Sequence, residues 1–172
     1  MFSLEPLKID LNNLEEGKSS FCLELSDEYF EAIDAPDIRR GHLSVTIDVI
    51  RHDDMFEFKF VVFGSVVIPC NICLDDMEQS IDTESKVVVK FGEEYSEDDE
   101  LVTVNKDEGV LDVSWFIYEF VVLNIPIRHV HAPGKCNREM MKALEEHSAT
   151  RSGVEDVEMI DPRWKELLKL KE

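Results

Sequence analysis

Four side chains in two short segments have the chemistry of a metal site. Cys70 and Cys73 are separated by two residues and follow an apolar run, and His131 and Cys136 lie either side of a Pro-Gly pair further along the chain. Structural zinc takes four sulfur and nitrogen ligands of this kind in a tetrahedron. The spacing therefore predicts a Cys3His zinc site made of Cys70, Cys73, His131 and Cys136, with His129 as the alternative nitrogen ligand.

Two other interpretations of the Cys-x-x-Cys motif remain open. A redox dithiol usually opens a helix after a parallel strand, whereas Cys70 and Cys73 are flanked by antiparallel strand patterns. Inert buried thiols are the second alternative. Cys22 lies in an alternating strand pattern, and we expect it to be an ordinary packing or surface residue.

The chain is strongly acidic. It has 172 residues, with 18 Lys and Arg against 38 Asp and Glu, which gives a net charge of −20. Such a charge repels nucleic acid at long range and attracts basic proteins. One basic cluster surrounds the second ligand segment. One interpretation is that the cluster balances the negative charge of the nearby helix. The other is that it contacts RNA phosphates, and the residues predicted to do so are Arg128, Lys135, Arg138 and Lys142.

No segment has the pattern of a membrane span or of a common catalytic site. No apolar run reaches the roughly 18–20 residues that a spanning helix needs, and the first residues lack a secretory signal pattern. Nucleophile elbows, zinc-protease motifs and phosphate-binding glycine loops are absent from the sequence. We therefore expect a cytoplasmic protein that is not an enzyme, with no membrane partner and no evident small-molecule substrate.

The first half of the chain has a β pattern. Apolar residues alternate with polar ones over 43–49 and 56–60, and the polar residues 51–54 between them predict an antiparallel hairpin. We expect the second strand to continue to Ile68 with a break at Gly64, and a further strand over 83–91. Shorter strands are predicted over 7–11 and 21–25, and a brief helix starts at Ser26 or Asp27 and ends by Pro36. The fold class is α+β, with a twisted antiparallel sheet or small open barrel.

The second half is more helical. Residues 92–110 hold eight carboxylates against one lysine and predict a mobile solvated loop or a docking strip for a basic partner. Residues 111–124 predict a helix that Asp112 caps and that is buried nearly all round, although a strand is an alternative. A short charged helix is predicted over 137–147. We expect one β-rich domain over 1–147, then a linker and an amphipathic C-terminal helix over 148–172.

The order of these features resembles the YceD family, the large-subunit ribosomal RNA accumulation proteins. The resemblance rests on Cys-x-x-Cys-Leu, a variable acidic segment, a helix that starts Leu-Asp-Val and leads to Ile-Pro, and then His131 and Cys136. It covers roughly residues 20–140, with weaker support from the Asp-Pro-Arg-Trp segment at 161–164. The family's Cys-x-x-Cys motif is matched by Cys70 and Cys73, and its downstream His and Cys are matched by His131 and Cys136. The ends of its buried helix are matched by Asp112 and Pro126. Ile72 departs from the family's frequent Arg.

The resemblance implies a non-enzymatic role in the synthesis, processing or accumulation of large-subunit ribosomal RNA, in a bacterial or plastid setting. The implied partner is ribosomal RNA, a basic ribosomal protein or an assembly factor. Family members differ in their downstream ligands, so the resemblance leaves metal occupancy open. An acidic protein-binding adaptor and a thiol redox protein remain the alternative functions.

Overall fold

The computed structural model describes residues 3–98 and 101–148. A short 3-10 helix over Glu5–Leu7 opens the fold. The strands are β1 (Lys8–Asp10), β2 (Gly17–Leu25), β3 (Arg40–His52), β4 (Met55–Pro69), β5 (Asp76–Gly92), β6 (Ser96–Asp98), β7 (Leu101–Asn105) and β8 (Val110–Asp112). The helices are α1 (Asp27–Ala32), α2 (Ser114–Asn124) and α3 (Arg138–His147).

One six-stranded sheet dominates the fold. Its strand order is β2-β3-β4-β5-β7-β6, and every pairing is antiparallel except that of β5 with β7. β1 pairs with β8 in a separate two-stranded sheet. The six-stranded sheet is open, since its outer strands β2 and β6 do not pair with each other. The predicted α+β class with a mainly antiparallel open sheet is confirmed.

The core lies on one face of the central hairpin. Every second residue of β3 and β4 is buried there, as the period-2 pattern predicted. Branched and aromatic side chains suit this pleated surface, and burying each one contributes about 1.5–3 kcal/mol. Helix α2 covers part of the same face with Phe116, Ile117 and Val121. The inward residues of the hairpin are Leu43, Val45, Ile47 and Val49 from β3, and Phe56, Phe58, Phe60 and Val62 from β4.

Tyr29 joins the two helices of this layer. Its side chain is fully buried, and its hydroxyl donates a hydrogen bond of 2.7 Å to the main-chain oxygen of Ser114 at the start of α2. Burial raises the pKa of Tyr29 well above its ordinary value. The phenol therefore stays protonated and keeps its donor role at any physiological pH.

Gly64 does not break β4, so that prediction is wrong. The strand runs through it, and Gly64 pairs with Leu43 on one side and Ile81 on the other. Its φ is +150°, and a Cβ atom added there would lie 2.1 Å from the main-chain oxygen of His42. The glycine permits a close approach between two strands, and this is why no side chain occupies the position.

The acidic segment 92–110 is not a simple loop, which corrects a second prediction. It contains β6 and β7, and β7 extends the main sheet by parallel pairing with β5. Val102 and Val104 of β7 are buried, whereas Glu93 and Glu94 before β6 are exposed. The apolar residues therefore decide the conformation, and the flanking charges remain in solvent.

Helix α2 confirms the predicted helix from Ser114 to Asn124, whereas residues 111–112 of the predicted range belong to β8. The side chains of Trp115 and Leu123 are 46% and 81% exposed, so the helix has an open face. Asp112 is not the N-cap as predicted, since Val113 holds that position, but its Oδ1 accepts a hydrogen bond from the main-chain N–H of Ser114 at 2.9 Å. The expectation of burial nearly all round was wrong, because α2 contacts the sheet on one side only.

The chain divides into two compact units. The first ends at Asn137 and holds both sheets, and the second begins at Arg138. Helix α3 of the second unit confirms the short charged helix predicted over 137–147. The predicted domain boundary after residue 147 stays a prediction, and the predicted C-terminal helix lies outside the described residues.

Candidate metal centre

The first half of the site is the turn between β4 and β5, here called the strand arm (residues 69–76). The main-chain N–H of Cys70 donates to the oxygen of Asp75 at 2.9 Å, and that of Leu74 donates to the oxygen of Cys70 at 3.0 Å. Leu74 has a φ of +62°, which completes the tight turn. Cys70 and Cys73 are 0% and 1% exposed. The sheet therefore holds both thiols in fixed positions at one strand end.

The second half follows α2 and is here called the helix arm (residues 126–137). The main-chain N–H of Lys135 donates to the oxygen of Ala132 at 2.9 Å, and Gly134 has a φ of +77°. This Pro-Gly turn reverses the chain between His131 and Cys136, both of which are partly buried. The predicted turn thus brings a nitrogen and a sulfur to the same place.

Main-chain and side-chain hydrogen bonds join the two arms. Asn71 donates its main-chain N–H to the oxygen of His129 at 3.0 Å, and its Oδ1 accepts the N–H of His129 at 2.6 Å. The Nε2 atom of His131 lies 3.2 Å from the main-chain oxygen of Asp76. A carbonyl oxygen only accepts, so Nε2 carries the proton and Nδ1 keeps a free lone pair. This is the arrangement that a metal-binding imidazole needs.

The four potential ligand atoms form one compact group. The Sγ atoms of Cys70, Cys73 and Cys136 and a ring nitrogen of His131 all lie within 4.8 Å of one another. The Sγ atoms of Cys70 and Cys136 are 4.0 Å apart, and Cys73 Sγ is 3.3 Å from His131 Nδ1. On a tetrahedron with ordinary Zn–S and Zn–N distances, two sulfur ligands are about 3.8 Å apart, and a sulfur and a nitrogen ligand are about 3.5 Å apart. This Cys3His cluster has the dimensions of a tetrahedral metal site.

His129 lies near the cluster but is not one of the four. Its Nδ1 atom is 2.9 Å from the main-chain oxygen of Pro126, within the helix arm. Its contact with the strand arm is through the main chain. Of the two candidate nitrogen ligands, the structure therefore groups His131 with the three cysteines.

Protonation of the thiols is unequal. Burial raises the pKa of Cys70, but the main-chain N–H groups of Cys73 and Ile72 more than offset this, so the pKa falls to about 5. Burial and the neighbouring thiols raise the pKa of Cys136 to about 11. The hydrogen bond to Cys70 raises the pKa of His131. A divalent cation would stabilise the thiolate form of each cysteine that binds it.

Sequence reasoning missed two residues that position the site. Asn71 lies inside the Cys-x-x-Cys motif, and an amide in a tight turn is a signal that could have been used. Asp76 acts through its main-chain oxygen, so its side-chain type carries no such signal. The four predicted RNA-contacting residues are all exposed: Arg128 and Lys135 in the first unit, and Arg138 and Lys142 in the second. Their role stays a prediction.

The fold and the cluster define an α+β protein in which a Cys3His group able to hold a metal joins a strand end to a turn after a helix. Comparison with known families identifies one family for this chain. The chain belongs to the YceD family, since the family model for Large ribosomal RNA subunit accumulation protein YceD matches residues 58–171.

The matched region contains both arms of the cluster and starts within β4. The resemblance noted for residues 20–57 lies outside it. No curated protein and no solved structure has significant similarity to the chain. Among the described residues, no helix is long and apolar enough to cross a membrane.

Proposed function

We propose that this protein is a non-enzymatic, cytoplasmic accessory factor in ribosome biogenesis that promotes the synthesis, processing or accumulation of large-subunit ribosomal RNA. The family match is the observation that carries the proposal, and it includes both arms of the Cys3His cluster. The mainly antiparallel sheet and the absence of a catalytic motif in the sequence agree with a binding role.

The cluster would hold a structural zinc ion through Cys70, Cys73, His131 and Cys136. Four protein ligands complete a tetrahedron, whereas catalytic zinc sites keep one position for water or substrate. Cys73 and His131 are 58 positions apart in the sequence. An ion that joins them closes a long loop of the chain. The stabilisation from such a cross-link increases with the length of the loop, because a longer loop has more freedom in the unfolded state.

Elemental analysis of the purified protein tests the zinc assignment. We expect one zinc per chain in the native protein and less than about a tenth of that in Cys70→Ser, because a hydroxyl is a poor zinc ligand. Cys22→Ser is the matched control, since Cys22 is exposed and belongs to β2. Full zinc content in Cys70→Ser, or none in the native protein, would contradict the assignment.

Direct contact with RNA is proposed for the exposed basic residues Arg128, Lys135, Arg138 and Lys142. Residues of this type neutralise phosphates without reading bases. Purification of the native protein from cells, followed by sequencing of bound RNA and identification of bound proteins, tests the functional proposal. Large-subunit ribosomal RNA, its precursors or ribosomal proteins should be enriched. Recovery of none of these would refute it.

The acidic adaptor is the second candidate, and the net charge of −20 favours it. Such an adaptor would recover basic proteins but would bind no RNA at any salt concentration. A redox function has less support, because Cys70 and Cys73 are almost completely buried, whereas reactive thiols are partly exposed.

A further inference from the structure

The solvent-facing side of the main sheet carries a recess that the metal centre does not use. It has a volume of about 440 Å³ and lies across β2, β3, β4 and β5. Three of its lining residues are lysines: Lys18 on β2, Lys59 on β4 and Lys86 on β5. Asp48 and Glu57 also line the recess, so its lining residues have a net charge of +1 in a chain of net charge −20.

Strand register places two of these lysines directly opposite each other. Lys59 pairs with Lys86 in the antiparallel ladder of β4 and β5. The Cβ atoms of directly opposed residues are about 4.5–5.5 Å apart, and like charges in such a pair destabilise a sheet. Two lysine side chains that begin this close together are long enough to place both ammonium groups on the oxygen atoms of one phosphate group. An anion between them would replace repulsion by attraction.

The carboxylates around the recess do not neutralise it completely. Lys18 pairs with Asp48 at 2.9 Å and Lys59 pairs with Glu84 at 3.0 Å, and Glu57 also lines the recess. Within the described part of the chain, Lys86 takes part in no ion pair. Exposed ion pairs contribute only about 0–1 kcal/mol. A phosphate can therefore displace Glu84 from Lys59 at little cost while it also neutralises Lys86.

The recess extends beyond the pair of lysines along the face of the sheet. Ile50 and Val88 add aliphatic surface beside the lysines. Lys90 is exposed two residues beyond Val88 on β5 and therefore on the same face of the sheet. Basic side chains along an open groove follow the phosphate backbone in proteins that bind single-stranded nucleic acid without reading its sequence.

We propose that this recess binds the phosphodiester backbone of single-stranded RNA, with Lys59 and Lys86 on one phosphate and Lys18 at its margin. The inference rests on the proposed function in ribosomal RNA accumulation. It adds a contact surface formed by residues other than the four basic residues of the helix arm and α3.

Fluorescence anisotropy with the full-length protein and a labelled oligouridylate of about 12 nucleotides tests this site. The variant is Lys59→Gln with Lys86→Gln. The matched control is Lys8→Gln with Lys106→Gln, which removes the same charge from the exposed side chains of β1 and of the turn after β7, outside the recess. All proteins are first compared by thermal unfolding. These exposed substitutions should leave the midpoints alike.

The recess variant should bind the oligonucleotide at least about tenfold more weakly at about 50 mM salt, and its salt slope should fall by about 0.7–1.4, as expected for one or two lost phosphate contacts. The control should keep nearly native affinity. Equal weakening of both double variants would mean that net charge alone matters and would overturn the site.

Two further outcomes separate this inference from the proposed function. If Arg128→Gln with Lys135→Gln abolishes binding and the recess variant retains it, RNA binds at the helix arm and the recess proposal is wrong. If the native protein binds no oligonucleotide but still recovers ribosomal components from cells, the recess proposal also fails. The role in ribosome biogenesis would then depend on binding to protein partners and not on direct binding to RNA.

Discussion

The two arms of the metal centre are held in different ways. The strand arm continues from two long paired strands, and its thiols are almost completely buried. The helix arm is a turn whose residues 132–135 are exposed, and its described hydrogen bonds to the strand arm include Asn71 with His129 and His131 with Asp76. Half of the site is therefore built by the sheet itself. The other half depends on a few polar contacts and on the ion that we propose.

The pKa values of the cysteines also differ between the two arms. Peptide N–H groups of the strand arm lower the pKa of Cys70, whereas partial burial and two neighbouring thiols raise the pKa of Cys136 in the helix arm. One arm offers a ready thiolate, and the other must lose a proton before its sulfur can bind a metal.

The largest expected effect comes from glycine substitutions that compare the two regions. Gly64→Ala, in the strand that leads into the strand arm, should lower the free energy of unfolding by at least about 3 kcal/mol, because its Cβ would clash with the oxygen of His42. Gly134→Ala should lower the free energy of unfolding by only about 1–2 kcal/mol. A Cβ atom there would meet nothing within 4 Å, so the positive φ is the sole unfavourable factor. Urea unfolding measures both, and equal costs would contradict the comparison.

Metal removal should affect the arms unequally. After chelation we expect amide hydrogen exchange in residues 126–137 to accelerate about 100-fold, which corresponds to loss of about 2.7 kcal/mol of ligand stabilisation. Amides in β4 and β5 should change much less, because the sheet ladders hold them. Mass spectrometry of exchanged peptides makes the comparison. Equal acceleration in both segments would show that the ion, and not the sheet, orders the strand arm.

Zinc affinity should increase with pH. The pKa of Cys136 is raised to about 11, so this thiol is protonated at neutral pH and must release its proton on binding. Because zinc binding releases at least one proton, the affinity for zinc should rise at least about tenfold per pH unit between about pH 6 and pH 8. Competition titrations with a chromophoric chelator measure this slope. A pH-independent affinity would contradict the protonated state assigned to the helix arm.

The smallest effect concerns the link between the arms. Asn71→Ala removes the side-chain acceptor of the His129 N–H, and we expect a loss of about 1 kcal/mol in stability and about tenfold in zinc affinity. Asn124→Ala is the control, because its amide donates to the oxygen of Asp82 and does not join the arms. It should leave zinc affinity unchanged. An equal loss of affinity in both variants would argue against Asn71 as a positioning residue.

Local patterns were sufficient for the parts of the fold that depend on neighbouring residues. The alternation in β3 and β4 predicted the hairpin, since side chains of period 2 must face the core and solvent in turn. The four members of the Cys3His cluster were found from residue type and spacing. The resemblance to the YceD family also came from such motifs, and the family match confirms it.

The errors concern contacts that no local pattern specifies. Leu101, Val102 and Val104 contain a short strand signal, but the surrounding carboxylates obscured it, and parallel pairing with β5 cannot be deduced from alternation. Glycine in a strand pattern predicts a break, and the reason for Gly64, its close approach to the oxygen of His42, lies on another strand. The exposed side of α2 depends on how much of the helix the sheet covers, and Leu123 shows that apolar type alone does not determine it.

The small sheet of β1 and β8 has a consequence for how the chain folds during synthesis. Lys8 pairs with Asp112, and the N–H of Val113 donates to the oxygen of Leu7, so these partners are about 100 residues apart in the sequence. Contacts between such distant residues form slowly, because a long loop must close before they are made. The segment around Leu7 therefore cannot complete its pairing during synthesis until β8 and Val113 have emerged from the ribosome.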